Sequence, residues 1–307
     1  MNAPRTEKRD IHGWLILDKP VGRTSTTAVA ILKRLSRAKK VGHAGTLDPL
    51  ASGVLPIAFG EATKTVSFAM DGRKVYRFKV RWGVETDTDD SEGKIVSESD
   101  TRPSQESIDA MLGRFTGTIE QTPPVFSALK IGGERAYNLA RKGENVSLAP
   151  RTIDVHRLGL IETPDADHAV LEAECGKGTY VRALARDIGR ALGCLGHVCA
   201  LRRTQVGSFT EKDSVTIEEV ERIAQSGADA LSASLLPVES SLGDVPSVSV
   251  SRADADRLTL GQAVLLRGRD APVMGGIVSV SAQGLLIALA EVEHGSLHPR
   301  RIFHLPR

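Results

Sequence analysis

The chain has 307 residues, of which 41% are hydrophobic and 25% charged, and its formal net charge is +2. These proportions are typical of a globular protein and argue against a disordered chain. No apolar run approaches the ~20 residues that span a bilayer, and the polar segment 1–10 lacks the apolar core of a secretory signal. We therefore expect a cytoplasmic protein of roughly two domains.

The first predicted elements are a strand, a helix and a second strand. Residues 14–18 form a short apolar run, and Thr24 or Ser25 can cap a helix that ends before Gly42. Residues 76–82 alternate strictly, which predicts a strand with one apolar and one basic face. The apolar face carries Tyr76, Phe78, Val80 and Trp82, and the basic face carries Arg77, Lys79 and Arg81.

An acidic segment follows. Five acidic residues precede Gly93, namely Glu85, Asp87, Asp89, Asp90 and Glu92. Because Glu92 stands where a calcium-binding EF-hand loop has its glycine, the pattern predicts an acidic hairpin turn rather than a calcium site. After Pro103, Ser104 can cap another helix. Residues from about 126 to 145 mix cations with glycines, which predicts a mobile basic excursion with a short helix at its centre.

The second half of the chain begins with a strand and a helix. Residues 171–175 alternate as in a half-buried strand, and apolar residues recur at helical spacing over 181–192, up to Gly193. The opposite side of that helix carries Arg182, Arg186 and Arg190, which by spacing alone form a solvated stripe. A Ser/Gly/Pro stretch near 240–246 indicates a domain boundary, and the short strands beyond it predict a small β-barrel.

The three cysteines, Cys175, Cys194 and Cys199, are expected to be small core residues without disulfides. His197 lies between two of them, which raises the question of a zinc site. No fourth ligand is near in sequence and the spacing matches no standard site, so we expect no bound metal.

One loop stands out as a candidate reactive site. Asp48 lies within residues 42–53, a glycine-rich segment in which Pro49 follows the aspartate directly. Such a loop can hold a carboxylate by backbone geometry, although the same pattern also suits an aspartate that caps a turn. Basic clusters lie at 33–40 and 298–307. Each alone can be a solvated face, but together with the loop carboxylate they favour a phosphate-backbone partner.

Five segments at these positions and in this order resemble the bacterial tRNA pseudouridine-55 synthase (TruB-type) family. They are LDKPVGRTS at 17–25, GHAGTLDPLASG at 42–53, KVYRF at 74–78, GTYVRALARDIG at 178–189 and LRRTQVGSF at 201–209. The resemblance extends from about Gly13 to the C-terminus. It implies an α+β fold, in which a catalytic domain has a central mixed, mainly antiparallel sheet flanked by helices. It also implies a small C-terminal β-barrel-like (PUA-like) domain. The expected domains are 1–242, with an RNA-contacting excursion at about 126–147, and 246–307.

The resemblance also implies a reaction: isomerisation of uridine 55 in the T-loop of tRNA to pseudouridine, after base flipping and without cofactor or metal. Asp48 matches the catalytic aspartate of the family. Whether it attacks the sugar, attacks the pyrimidine ring or removes a ribose proton stays open. The residues matching the substrate-base pocket are Tyr76, Tyr180, Arg182 and Leu201. Those matching RNA-binding or supporting positions are His43, which stacks on RNA, and Lys19, Lys64 and Lys130.

The expected partner is the T-stem-loop of tRNA, bound by a monomer that needs no protein partner and no membrane. Two alternatives remain at this point. The chain could be a non-catalytic RNA-binding or RNA-folding protein on the same scaffold, or an aspartate-based hydrolase or phosphotransferase. The second would need a metal or a phosphate loop, and the sequence has neither a Walker pattern nor a carboxylate cluster with metal spacing near Asp48.

Overall fold

The computed structural model describes residues 7–127, 129–142, 144, 146–266 and 275–306. The start of the polar N-terminal segment, three positions of the predicted excursion and Arg307 of the C-terminal basic cluster lie outside the described residues. Among the residues that are described, no helix is both long and apolar enough to cross a membrane.

Helices and strands are interspersed along the chain. The helices are α1 (Ser25–Ser36), α2 (Val66–Asp71), α3 (Gln105–Leu112), α4 (Ala136–Arg141), α5 (Val181–Ala191), α6 (Ile217–Gln225), α7 (Ala228–Ala233) and α8 (Arg252–Thr259). The strands of the first half are β1 (Gly13–Lys19), β2 (Val41–His43), β3 (Ala51–Phe59), β4 (Lys74–Trp82), β5 (Val84–Thr86), β6 (Ile95–Glu98), β7 (Gly117–Gln121), β8 (Lys130–Ile131) and β9 (Glu134–Arg135). Those of the second half are β10 (Arg151–Asp165), β11 (His168–Cys175), β12 (Gly196–Val206), β13 (Phe209–Thr210), β14 (Ser214–Val215), β15 (Ser247–Ser249), β16 (Val264–Leu265), β17 (Gly276–Ala282), β18 (Leu285–Glu293) and β19 (Ser296–Ile302).

The described residues form a ten-stranded main sheet, and its order is β14-β1-β3-β12-β4-β11-β10-β7, with β2 beside β3 and β13 beside β12. Two pairs, β1 with β14 and β3 with β12, are parallel, and the others are antiparallel. The predicted mixed, mainly antiparallel sheet is therefore confirmed. The acidic segment forms the predicted hairpin, β5 with β6, apart from this sheet.

Helices cover one face of the main sheet. Thr24 caps α1 and Ser104 caps α3, each by accepting a hydrogen bond from a backbone N–H three residues on. The apolar face predicted for β4 packs in the same buried cluster as the apolar side of α5. Helix α5 approaches the start of β12 closely, because a Cβ at Gly189 would lie 2.6 Å from the Gly196 nitrogen. A larger residue than glycine at this position would push the helix away from the sheet.

The C-terminal region forms a smaller five-stranded sheet, with the order β15-β17-β18-β19-β16. It has its own apolar core, to which α8 contributes Leu258. It also packs against the main sheet on the side away from α5, where Trp14 and Ile16 share a buried cluster with Leu286, Leu289 and Phe303. The predicted small barrel-like C-terminal unit is confirmed, and it packs on the face of the main sheet opposite α5.

Candidate active site

Asp48 lies in the loop between β2 and β3, and the backbone on both sides of it is fixed. The Ser25 hydroxyl donates to the Leu47 carbonyl (3.1 Å) and accepts from the Leu47 N–H (2.8 Å). After the aspartate, the Gly22 N–H donates to the Pro49 carbonyl (2.8 Å). The Asp48 side chain itself is 41% exposed. The loop therefore presents its carboxylate on a rigid backbone, as a turn-capping aspartate need not do.

Arg182, in the first turn of α5, holds that carboxylate. Its Nη2 lies 2.9 Å from Asp48 Oδ2, and its Nη1 lies 3.2 Å from Asp90 Oδ2. The same guanidinium donates to the carbonyls of Thr88 (2.9 Å) and Phe126 (3.0 Å). Because the arginine side chain is only 7% exposed, it cannot swing away from Asp48. Charge-assisted contacts of this kind orient a carboxylate as well as attract it.

A cavity of about 320 Å³ opens beside Asp48. Its lining includes Asp48 and the four residues that the resemblance places at the base pocket, namely Tyr76, Tyr180, Arg182 and Leu201. Tyr76 comes from β4, Leu201 from β12 and Tyr180 from the residue before α5. Burial raises the pKa of both tyrosine hydroxyls, so both stay protonated at neutral pH. The cavity thus combines one carboxylate with two neutral phenols and an apolar wall.

A second cavity, of about 690 Å³, shares Asp48 and Arg182 with the first. Its other walls are the start of α1, the acidic hairpin and the residues Arg135 and Tyr137 of the predicted excursion. His43 also lines it, and the Nδ1 of this half-buried ring has no hydrogen-bond partner among the described residues. Burial and the nearby Arg203 charge lower the pKa of His43, so the ring is neutral at pH 7. The second cavity is an open approach to Asp48.

The three predicted lysines lie in different places. Lys19 is fully buried, and its Nζ donates to the carbonyls of Pro20 (2.9 Å) and Arg23 (2.6 Å). Burial lowers its pKa to about 8, while the charge of Asp48 acts in the opposite direction. Lys64 instead contacts Glu61 and the Ile302 carbonyl (2.7 Å), at the junction with the C-terminal sheet.

Lys130 is exposed in the short β8–β9 hairpin. Neither it nor Lys64 is among the described residues that line the two cavities. The short helix predicted within the excursion is confirmed as α4, whereas its motion stays a prediction.

The interpretation of the α5 arginines as a solvated stripe is wrong for Arg182 and Arg186, which are buried, whereas Arg190 is exposed. Arg186 is 7% exposed and its Nη1 lies 2.8 Å from Asp89 Oδ2, while Arg190 pairs with Glu85 at 2.5 Å. Together with the Arg182–Asp90 pair, these contacts attach the acidic hairpin to α5 residue by residue. Spacing within a helix does not reveal this, because the partners lie about a hundred positions away in the sequence.

The cysteines largely fit the core interpretation. Cys175 and Cys194 are buried, whereas Cys199 is half-buried. His197 Nδ1 lies 2.8 Å from the Val84 carbonyl oxygen, which accounts for one ring nitrogen. Within the described part of the chain, no group of three or more His, Cys, Asp or Glu side chains is arranged to hold a metal ion.

Two further residues of the base pocket were not singled out from the sequence. Lys74 and Arg203 both line the smaller cavity and are at most 7% exposed. Lys74 falls at the start of the alternating β4 segment, and Arg203 follows Arg202 in β12. The alternation of the strand residues could have placed both side chains on the inner face of the sheet. From sequence alone, however, a basic residue is expected to be exposed, because lysine and arginine are seldom buried.

Solved structures share the fold at low sequence identity. A chain of an archaeal box H/ACA sRNP complex superposes with a TM-score of 0.73 at 23% identity, covering 96% of this chain and 87% of that one. A chain of an H/ACA RNP bound to a substrate RNA containing 2′-deoxyuridine gives a TM-score of 0.74 at 22% identity, covering 99% and 94%. At this identity the likeness shows the fold alone.

The sequence comparisons are more specific. Residues 33–181 match the N-terminal domain of the TruB family of pseudouridylate synthases, and residues 182–243 match the C-terminal domain of tRNA pseudouridylate synthase B. The chain is 62% identical to tRNA pseudouridine synthase B of Bradyrhizobium diazoefficiens, over 99% of this chain and 89% of that protein. Identity to the protein of the same name from Rhodopseudomonas palustris is 63%, over 98% and 83%. The chain therefore belongs to the TruB family of pseudouridylate synthases.

Proposed function

We propose that this protein isomerises uridine 55 in the T-loop of tRNA to pseudouridine. The observation that carries the proposal is the base pocket, where the Arg182-bound carboxylate of Asp48 meets Tyr76, Tyr180 and Leu201. Family membership and the names of relatives that are 62–63% identical support the choice of reaction and substrate.

The reaction needs little beyond what this pocket holds. The bond from ribose C1′ to N1 of uracil breaks, the ring turns over, and a bond from C1′ to C5 replaces it. The proton on C5 is lost and N1 gains one, so the net change in atoms and electrons is zero and no group is imported. Asp48 takes the central role, as a nucleophile toward sugar or ring or as the base that removes a ribose proton. Arg182 keeps its carboxylate in a single orientation.

The other pocket residues retain and orient the detached ring. Tyr76 stacks on the base, Leu201 forms an apolar wall, and the protonated hydroxyls of Tyr76 and Tyr180 are available for proton transfer. A ring that is held between aromatic and apolar surfaces can turn over without escaping to water.

Access to Asp48 requires that the uridine leave its loop. The larger cavity offers the route, and His43, which lines it, stacks where the base has left. The basic hairpin with Lys130 faces solvent and supplies positive charge for the RNA backbone. In this proposal tRNA is the partner of a cytoplasmic monomer, residues 1–242 form the catalytic domain and residues 246–307 the RNA-binding unit.

The test uses the full chain without added metal or nucleotide, an unmodified T-stem-loop RNA, and a direct assay for pseudouridine. Asp48→Asn should bind the RNA yet lose roughly 10⁴-fold in rate, as expected when a central catalytic group is removed. Asp229→Asn is the matched control, because that carboxylate is almost fully exposed on α7. Tight binding without product by the wild type would favour an RNA-binding protein. Loss of activity on chelation would favour a metal-dependent enzyme.

A further inference from the structure

Arg203 is a buried cation that pairs with no carboxylate of the residues the structure describes. It is 1% exposed, and among the described residues no carboxylate lies within ion-pairing distance of it. Its guanidinium instead donates to three backbone carbonyls, those of Val54 (2.8 Å), Gly45 (3.1 Å) and Thr46 (3.4 Å). Burying an uncompensated charge is costly, so its contacts are expected to serve a purpose other than stability.

Two of these carbonyls belong to the loop that carries Asp48. Gly45 and Thr46 lie just before the aspartate, and Val54 lies in β3, which the loop enters. The loop backbone passes close to the guanidinium, because a Cβ at Gly45 would lie 3.4 Å from Arg203 Nη1. Gly45 also has φ +96°, a conformation that favours glycine. One side chain therefore joins the loop to the strand behind it.

The same side chain reaches the base pocket. Arg203 on β12 is directly opposite Tyr76 on the antiparallel strand β4, so the two side chains leave the same face of the sheet as close neighbours. The charge of Arg203 opposes the rise that burial causes in the Tyr76 pKa. Both residues line the smaller cavity together with Asp48.

We propose that Arg203 is a positioning residue, which fixes the Asp48 loop and the Tyr76 phenol in one geometry so that both address the same nucleotide. The inference rests on the proposed function. It concerns position rather than chemistry, because Arg203 donates to backbone carbonyls and lies opposite Tyr76 in the sheet. Lysine cannot replace it, since an ammonium group lacks the planar fork that reaches several carbonyls and a phenol at once.

The first experiment compares Arg203→Lys with Arg202→Lys in the full chain, measuring RNA affinity and the single-turnover rate separately. Arg202 is the neighbouring residue on β12 and pairs with Asp18 and Glu211 instead. We expect Arg203→Lys to leave RNA affinity unchanged and to lower the rate on the order of 100-fold, the cost of a small misplacement of reacting groups. Arg202→Lys should keep the wild-type rate. A wild-type rate in Arg203→Lys would overturn the inference.

A double-mutant cycle with Tyr76→Phe separates positioning from a general loss of structure. If Arg203 acts partly through the phenol, its replacement should cost less in the Tyr76→Phe background than in the wild type. Fully additive losses would contradict the proposal. An inactive wild type would refute the proposed function itself, a result distinct from an active wild type with an unaffected Arg203→Lys.

If Arg203→Lys does not fold, the wild type and two variants that keep Arg203 still decide the question. If the Arg203 guanidinium contacts the phenol, the side-chain ¹⁵N resonances of Arg203 should differ between the wild type and Tyr76→Phe. They should be the same in the wild type and in Arg202→Lys. Identical Arg203 resonances with and without the Tyr76 hydroxyl would show that the contact is not made, and the inference would fall.

Discussion

The Asp48 loop and the acidic hairpin both contact Arg182, and they differ in the role of their carboxylates. The loop between β2 and β3 is held by Ser25 and by backbone hydrogen bonds, which leaves the Asp48 side chain 41% exposed. The β5–β6 hairpin is held by its own carboxylates, and those of Asp89 and Asp90 are 8% and 3% exposed. A carboxylate that does not hold the fold together is available to react with a substrate. A buried carboxylate that holds two elements together is not.

Replacing Asp48 and Asp90 in separate variants should give the largest difference between a catalytic and a structural carboxylate. Asp48→Asn should abolish turnover and change the free energy of unfolding little, because a half-exposed ion pair contributes about 1 kcal/mol or less. Asp90→Ala should destabilise the fold by about 3–5 kcal/mol, since Arg182 loses a buried partner. The carboxylate of Asp90 also accepts from the Thr88 hydroxyl and the Glu92 N–H, and both bonds go with it.

Urea denaturation of both variants, alongside the pseudouridine assay, checks this pair of outcomes. Asp48→Glu serves as a control for the loop, because it keeps the charge and displaces the carboxylate. A large loss of stability in Asp48→Asn would place Asp48 with the structural carboxylates and break the comparison.

The same contrast explains what the sequence could reveal. The strand at 76–82 and the helix at 181–192 were predictable because their periodicity comes from burying one face. The Asp48 loop was conspicuous because its glycines and proline lie close to the aspartate in the sequence. The pairing of Arg186 with Asp89 was not predictable, since it joins positions 97 residues apart and both residues are charged. Roles for Tyr76, Tyr180 and Leu201 came from the resemblance, because an inward-facing aromatic or leucine looks like any core residue.

Arg186→Met tests the middle contact of the acidic hairpin. Arg186 binds Asp89 (2.8 Å), the neighbouring Asp187 (2.8 Å) and the Thr122 carbonyl (2.8 Å). Its removal leaves the buried Asp89 carboxylate without its cation, so we expect a loss of about 3 kcal/mol in the free energy of unfolding. The charge of Asp48 and its contact with Arg182 are untouched. RNA affinity should therefore hold at temperatures where the variant is folded, as measured by titration.

The pH dependence of stability gives a finer test of the hairpin. Burial raises the pKa of Asp89 to about 6 against the opposing charges of Arg186 and Arg182, and the nearby Glu85 raises it further while Arg190 lowers it. Between pH 7 and 5 the folded state takes up a proton at Asp89 that the unfolded state, with its ordinary pKa near 4, does not. The contribution of Asp89 to stability is therefore lost as pH rises through about 6.

Wild type and Asp89→Asn should be compared by denaturation across this range. The wild type should gain stability relative to the variant as pH falls from 7 to 5, because only the wild type binds the extra proton. Groups elsewhere titrate equally in both proteins and cancel. A difference that is constant with pH would show that Asp89 stays ionised throughout, which would make the ion pair with Arg186 dominant over burial.

The smallest effect is expected at the outer end of the hairpin. Arg190 binds Glu85 through two nitrogens, at 2.5 and 2.8 Å; the glutamate side chain is 11% exposed, but that of Arg190 is 53% exposed, so water reaches the pair from the arginine side. Water and salt screen such a pair, so Arg190→Gln should cost about 0.5–1 kcal/mol and leave turnover unchanged. Raising the salt concentration should reduce the difference between wild type and variant in a thermal melt, whereas the Arg186→Met difference should persist. Equal and salt-insensitive losses of stability at the two positions would mean that the exposure of a side chain does not determine how much its ion pair contributes to stability. In that event, the exposure of Asp48 would no longer distinguish it from the carboxylates that fix the fold.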